Sequence, residues 1–360
     1  MRDPKRTAIL HIGMPKTGTS SIQDTFFALD MPDHHYIKAG HANHGAIVRA
    51  MLPNDKKAIQ RAARRAASIE RQQTANARLL KRFQDELNTF DKPNLLMSAE
   101  VLGGNAVSAE WLASFRDHLA NYVTDFRIIG YVRAPISSTQ SGFQQLLKAG
   151  KHRFFDKPGV VGYRSVFEKY DQIFGRENVE LVKYDRASLR NGDVVQDLAH
   201  RIGVALEPHQ IVASNISVSH ESLSLMYSAL LKGECFKDYP GIVNDLDSLV
   251  TDLQGYGTKK FAVGEALGRA IIERCAEDIA WMEERLGEEL LDGGSAADHA
   301  VNNAEDLHHV AGENRDMALE ALVDMLGAEK DPVVSAREIM DLAITLQRVR
   351  RERINEKGDK

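Results

Sequence analysis

Cysteine is almost missing from this chain: two occur in 360 residues, Cys235 and Cys275, far apart. They form no metal-ligand spacing and no disulfide framework, so a reducing compartment fits. Long apolar runs are also lacking. Nothing approaches the roughly 20 residues that a membrane-spanning helix needs. The opening MRDPKRTAILHIG has no apolar core of signal-peptide length, so the expectation is a cytoplasmic protein without an integral membrane segment. Excess positive charge is absent as well. The formal net charge is −5 and the sequence pI about 6.2, which removes the global field that would recruit nucleic acid. No internal repeat is evident. What remains is an ordinary globular composition, 43% hydrophobic and 27% charged. The length allows one large α/β domain with additions, or two domains.

The chain is organised around residues 7–27, TAILHIGMPKTGTSSIQDTFF. Ala8-Ile9-Leu10-His11-Ile12 is short and apolar, as a buried strand is. Gly13-Met14-Pro15-Lys16-Thr17-Gly18 makes a turn. Thr19-Ser20-Ser21 then opens a helical pattern with Ile22, Phe26 and Leu29 on one face. Strand, glycine loop and hydroxyl-rich helix start make an anion site, because the free N–H groups and the dipole of a first helical turn favour negative charge. Gly13 and Gly18 have the spacing of a nucleotide-hydrolase P-loop, G-x-x-x-x-G-K-[ST]. Thr19 stands where that motif has its lysine, and the lysine sits inside the loop at position 16. The bland alternative is a glycine turn before an ordinary helix.

Further along, residues 31–45 are polar and histidine-rich, with His34, His35, His41 and His44, and read as a loop followed by a short helix. His41 and His44 are each either solvated or a base beside the phosphate site. Residues 53–90 read as one long helix or two, carrying Arg61, Arg64, Arg65, Arg71, Arg78, Lys81 and Arg82. That face is either simply solvated or a basic wall for an anionic acceptor such as an acidic glycan. Residues 94–98 are a short buried strand ending in Ala99-Glu100. A polar residue at the carboxyl end of such a strand lies where open α/β sheets bind ligands, so Glu100 is a candidate general base. The alternative is an ordinary helix-start glutamate, with Ser98 as the cap.

Residues 126–132, FRIIGYV, form the next strand and run into Arg133-Ala134-Pro135 and a helix over 136–147. Ser141 lies about two turns past Arg133. Helices are predicted over 111–122, 163–173 and 194–202, the last ending at Gly203. A strand over 179–184 ends in Tyr184-Asp185-Arg186. A helix begins at 221, and 262–291 read as helical. Beyond Ser295 the composition turns acidic and alanine-rich, and Asp331-Pro332 precedes a last helix over 335–353.

The run Pro15-Lys16-Thr17-Gly18-Thr19-Ser20-Ser21 resembles the 5′-phosphosulfate loop of the sulfotransferases, enzymes that use the donor PAPS (3′-phosphoadenosine 5′-phosphosulfate). Arg133-x-Pro135 with Ser141 resembles their 3′-phosphate site, and an arginine fork suits a phosphate geometrically. The strand ending in Tyr184 resembles the segment whose tyrosine packs near the adenine. The resemblance spans residues 7–295 in element order and points to the bacterial proteins similar to carbohydrate sulfotransferases.

It implies a three-layer α/β sandwich with a mostly parallel sheet, like nucleotide kinases. Residues 1–295 would form the sulfotransferase domain, with 31–92 as a helical insertion shaping the acceptor site. Residues 296–360 would be a helical extension: an appendage, a homo-oligomer contact or a tail. It further implies transfer of a sulfuryl group from PAPS to an acceptor hydroxyl, with PAP as product and no metal. Lys16, Thr17, Gly18, Thr19, Ser20 and Ser21 would hold the 5′ end, Arg133 and Ser141 the 3′-phosphate, and Tyr184 the adenine. Lys16 would support the leaving group, and Glu100, then His44 and His41, would take the acceptor's proton. The acceptor is expected to be a glycan. The rivals are a P-loop kinase or NTPase using ATP and magnesium, and a degenerate nucleotide-binding protein of the same fold.

Overall fold

The computed structural model describes residues 5–52, 69–148, 154–156, 162–212, 218–231 and 257–313. Five strands form one sheet: β1 (Thr7–His11), β2 (His34–Tyr36), β3 (Asn94–Ser98), β4 (Asp125–Val132) and β5 (Val179–Lys183). Their order is β2-β3-β1-β4-β5, and every pairing is parallel. The fold class is therefore α/β, a parallel sheet flanked by helices, as the sequence predicts. A parallel sheet covered on both faces needs strands that are apolar throughout, and Ala8, Ile9, Leu10, Leu95, Leu96, Met97, Ile128 and Ile129 are all buried.

The strand order places the ligand edge. From β1 the chain moves toward β2 and β3, whereas β4 and β5 lie on the other side of β1. That reversal makes the carboxyl ends of β1 and β4 the switch point where open α/β sheets take ligands. The cradle, the glycine turn of residues 13–18 read as an anion site, follows β1, and Arg133 follows β4. Above the sheet, α1 (Thr19–Ala28) packs Ile22 and Phe26 onto Ile9, Leu96, Ile129 and Tyr131. The Val194–Ile202 helix completes this core with Val195, Leu198 and Ala199. Asp193 caps it by accepting from Val195 N and Gln196 N, and Gly203 ends it at φ 77°, where an L side chain would be strained.

The described residues fall into two compact units that interleave along the chain. One comprises 1–134, 162–215 and 277–290 and holds the sheet; the other comprises 135–161, 216–276 and 291–360. In the second unit, the Pro135–Lys148 helix contributes Phe143 to an aromatic cluster with Phe154, Phe155, Tyr227 and Phe261. The Asp292 carboxylate accepts from Ile136 N and Ser137 N at 2.8 and 2.7 Å, closing the start of that helix.

Several elements differ from their sequence expectations. The polar stretch after α1 contains β2, too short and too histidine-rich to read as a strand. The helix expected over 53–90 is described as Ile69–Thr89, and Arg61, Arg64 and Arg65 lie outside the described residues. The helix expected over 262–291 is two, Glu265–Arg274 and Ala276–Leu286, interrupted at Cys275. The extension is described only as far as Ala304–Glu313; the expected 335–353 helix lies outside. Among the described residues no helix is long and apolar enough to cross a membrane.

Candidate functional site

The cradle is built by the turn between β1 and α1. Gly18 sits at the helix N-cap with φ +74°, and a Cβ there would fall 2.4 Å from Val194 Cγ1. Glycine is required on both counts. Lys16 also has positive φ, 64°, a conformation costing an L residue roughly 1–2 kcal/mol. Its carbonyl, turned by that geometry, accepts from Arg133 Nη1 at 3.0 Å. The arginine after β4 is thus tied to the lysine after β1.

Tyr184 joins the same group. Its N–H donates to the Val132 carbonyl at 2.7 Å, holding the end of β5 against the end of β4. Its ring centroid lies 5.8 Å from the Arg133 guanidinium carbon. Its hydroxyl lies 3.9 Å from where a Gly18 Cβ would stand. Tyr163 Oη donates to the Arg133 carbonyl at 2.5 Å, fixing the backbone there. Lys16, Gly18, Arg133 and Tyr184 are therefore gathered at one edge of the sheet.

The first turn of α1 is open to an anion. Gly18 supplies no side-chain cap, and no acidic residue lies in that turn. Ile22 N donates to the Gly18 carbonyl at 3.1 Å, joining the cap to the first turn. Thr19 is buried, with its hydroxyl 3.4 Å from that of Thr17; Ser20 is exposed and Ser21 half-buried. Thr17 departs from its expected role. Its N–H and its hydroxyl both donate to the Met14 carbonyl, at 3.3 and 2.8 Å, so it braces the loop from inside.

Beneath the loop lies a buried polar layer that the sequence reading did not find. His11 Nδ1 is 2.8 Å from Ser98 Oγ, which also accepts from Gln23 Nε2 at 3.2 Å. Burial holds the His11 ring neutral, with its pKa down to about 3, and its Nε2 has no partner among the described residues. The ring edge reaches the cradle floor. A Cβ on Gly13 would stand 3.4 Å from His11 Cε1, 3.0 Å from Thr17 Oγ1 and 2.5 Å from Thr19 Oγ1. Ser98, the cap in the alternative reading of Glu100, does not occupy that place; the N-cap is Ala99, whose methyl offers no acceptor. A polar residue inside an apolar strand, at His11 and again at Ser98, is the signal that marks this layer.

The candidate bases separate. Glu100 opens a short 3-10 turn (Glu100–Gly103) that leans on the cradle: a Cβ on Gly103 would stand 2.2 Å from the Gly13 carbonyl oxygen. Its side chain is half-buried. His44 is corrected. Its Nδ1 accepts from Ser98 N at 2.9 Å, so its Nε2 carries the proton and donates to the Ile37 carbonyl at 2.8 Å. With both nitrogens engaged and the ring fully buried, it is a strut between β2 and β3, and burial lowers its pKa to about 4. His41 is exposed and lines a pocket that also contains Ser20. Ser141 is buried on the Pro135–Lys148 helix of the second unit.

No family model matches the chain, and neither does any curated protein. Among solved structures it is similar to a sulfotransferase from Alicyclobacillus acidocaldarius, at 17% identity over 62% of this chain and 92% of that one, with a TM-score of 0.33. It is similar to the sulfotransferase domain from the curacin biosynthetic pathway, at 12% identity over 58% and 77%, with a TM-score of 0.31. A structure from the PezAT toxin–antitoxin system of Streptococcus pneumoniae also matches, at 13% identity over 68% and 88%, with a TM-score of 0.28.

Proposed function

We propose that this chain transfers a sulfuryl group from PAPS to an acceptor hydroxyl, with a carbohydrate as the acceptor class. The observation that carries this reading is the joining of the two anion-binding motifs. The loop lysine, Lys16, and the arginine after β4, Arg133, meet through a 3.0 Å hydrogen bond beside an uncapped helix start. A donor with phosphate at both its 5′ and 3′ ends needs cationic groups spaced along one edge, and this edge supplies them. A P-loop kinase instead places its lysine at the helix start.

The division of roles follows from the groups present. Backbone N–H groups at Gly18 and Thr19, with the Ser20 hydroxyl, hold the 5′-phosphate. Arg133 binds the 3′-phosphate, and Tyr184, against its guanidinium, packs on the adenine. Lys16 places positive charge where the leaving oxygen gains negative charge, the term that dominates most group transfers. The acceptor's proton passes to Glu100 or His41. Each lies at the carboxyl side of the sheet with no protein hydrogen bond to its side chain among the described residues.

Incubation with ³⁵S-labelled PAPS and a mixed oligosaccharide pool tests the proposal. Label is expected in the oligosaccharides, accumulating about 10²–10³-fold more slowly with Lys16→Ala. Turnover of ATP with magnesium in place of PAPS would overturn the reading.

A further inference from the structure

Beside the cradle lies a pocket of about 490 Å³, within the range of about 300–1,000 Å³ typical of small-molecule sites. One wall is a single face of α1: Ser20, Gln23, Asp24 and Phe27, spaced three and four residues apart. The first of these is also a cradle residue, so the pocket begins where the 5′-phosphate site ends. The other wall is the turn carrying His41 and Asn43. That turn is fixed from within. Tyr36 Oη donates to the Ala42 carbonyl at 2.6 Å, Gly45 N donates to Asn43 Oδ1 at 2.8 Å, and buried His44 anchors its end.

The chemistry of the lining is uneven. Gln23 directs its Nε2 inward to Ser98. Asp24 is half-buried, and among the described residues its carboxylate has no hydrogen bond or ion pair. Ser20 offers a hydroxyl, His41 an imidazole and Phe27 an aromatic ring. Asp24 is the one carboxylate in the lining, which contains no lysine or arginine. Lys38 lies outside the lining; it donates to the Phe27 carbonyl and sits 4.7 Å from the Phe27 ring centroid.

Resting on the sulfotransferase reading, we propose that this pocket is the acceptor subsite and that it takes a neutral or amine-bearing polyhydroxylated compound, gripped by Asp24 and stacked on Phe27. An unpartnered carboxylate in a half-buried wall accepts hydrogen bonds from hydroxyl or ammonium groups and repels a carboxylate or sulfate on the acceptor. This replaces the acidic glycan suggested by the basic 53–90 segment. The acceptor hydroxyl loses its proton to His41, its oxygen forms the new bond to sulfur, and the sulfur–oxygen bond to PAP breaks with the electron pair leaving on PAP.

Calorimetry on the PAP-loaded protein tests this with three tetrasaccharides of matched length: the glucosamine tetramer (cationic), cellotetraose (neutral) and tetragalacturonate (anionic). The first two are expected to bind at least about tenfold more tightly than the third. Asp24→Asn should weaken the glucosamine tetramer about tenfold with PAP affinity unchanged, and Asp24→Lys should admit tetragalacturonate. Preference of the native protein for tetragalacturonate, binding of none of the three, or indifference to Asp24→Asn would overturn the inference while leaving PAP binding intact. Failure to bind PAP would instead overturn the donor reading, and this inference with it.

Discussion

Two loops leave the carboxyl edge of the same parallel sheet, and they handle polar groups differently. The turn after β1, residues 12–18, bonds the N–H groups of Ile12, Met14 and Thr17 within the protein and ends at the uncapped start of α1, with the Lys16 carbonyl tied to Arg133. The turn after β2, residues 37–44, commits polar groups within the protein: His44 to Ser98 and Ile37, the Ala42 carbonyl to Tyr36, and the Lys38 and Ala39 N–H groups to Glu86. Only three positions separate His41 from His44, yet one is exposed and the other wholly buried. A residue type becomes chemistry only where its lone pairs and protons are left uncommitted, and that depends on tertiary partners.

The contrast can be broken at either loop. The largest effect is expected at the first. Lys16→Ala and Arg133→Ala should each lower kcat for sulfuryl transfer by about 10²–10³-fold, as loss of a preorganised cationic donor does. Thermal unfolding of the two variants should stay near that of the parent. At the second loop the cost is stability. His44→Ala strands the buried Ser98 N–H and Ile37 carbonyl and opens a cavity, so denaturant titration should show a loss of roughly 3 kcal/mol. His41→Ala should change stability by no more than about 0.5 kcal/mol, as exposed substitutions do, while slowing turnover.

Acid offers a subtler test. His11 and His44 are held neutral, with pKa values near 3 and 4, against about 6.5 in an unfolded chain. Between those values the unfolded chain binds more protons than the native one, so stability falls as pH drops below about 6.5. By pH 5 each histidine should account for a loss on the order of 2 kcal/mol. Unfolding titrations at pH 7.5 and 5 check this, and His44→Ala should show a smaller pH dependence than the parent.

Much of the sheet is legible in the sequence, because β1, β3, β4 and β5 are apolar runs bounded by turn residues. β2 is not, since His34-His35-Tyr36 has neither a run nor an alternation; it becomes a strand by pairing with Asn94, Leu95 and Leu96. The cradle is legible from Gly13, Lys16 and Gly18, whose spacing is local. Its tie to Arg133 is anticipated only as a resemblance, because 117 positions separate the partners. The buried layer of His11, Ser98 and Gln23 is hidden for the same reason: each looks like an isolated polar residue until the sheet aligns them. Thr17 shows the opposite failure, a motif hydroxyl turned inward to the Met14 carbonyl.

The most direct test of the central claim is a calorimetric titration of the purified protein with PAP, run beside ATP plus magnesium and repeated with Lys16→Ala and Arg133→Ala. Binding of PAP in preference to ATP–magnesium, weakened by both substitutions, is the predicted result. Heat from ATP–magnesium with none from PAP would contradict the account, because the edge that joins Lys16 to Arg133 would then serve a kinase-type site.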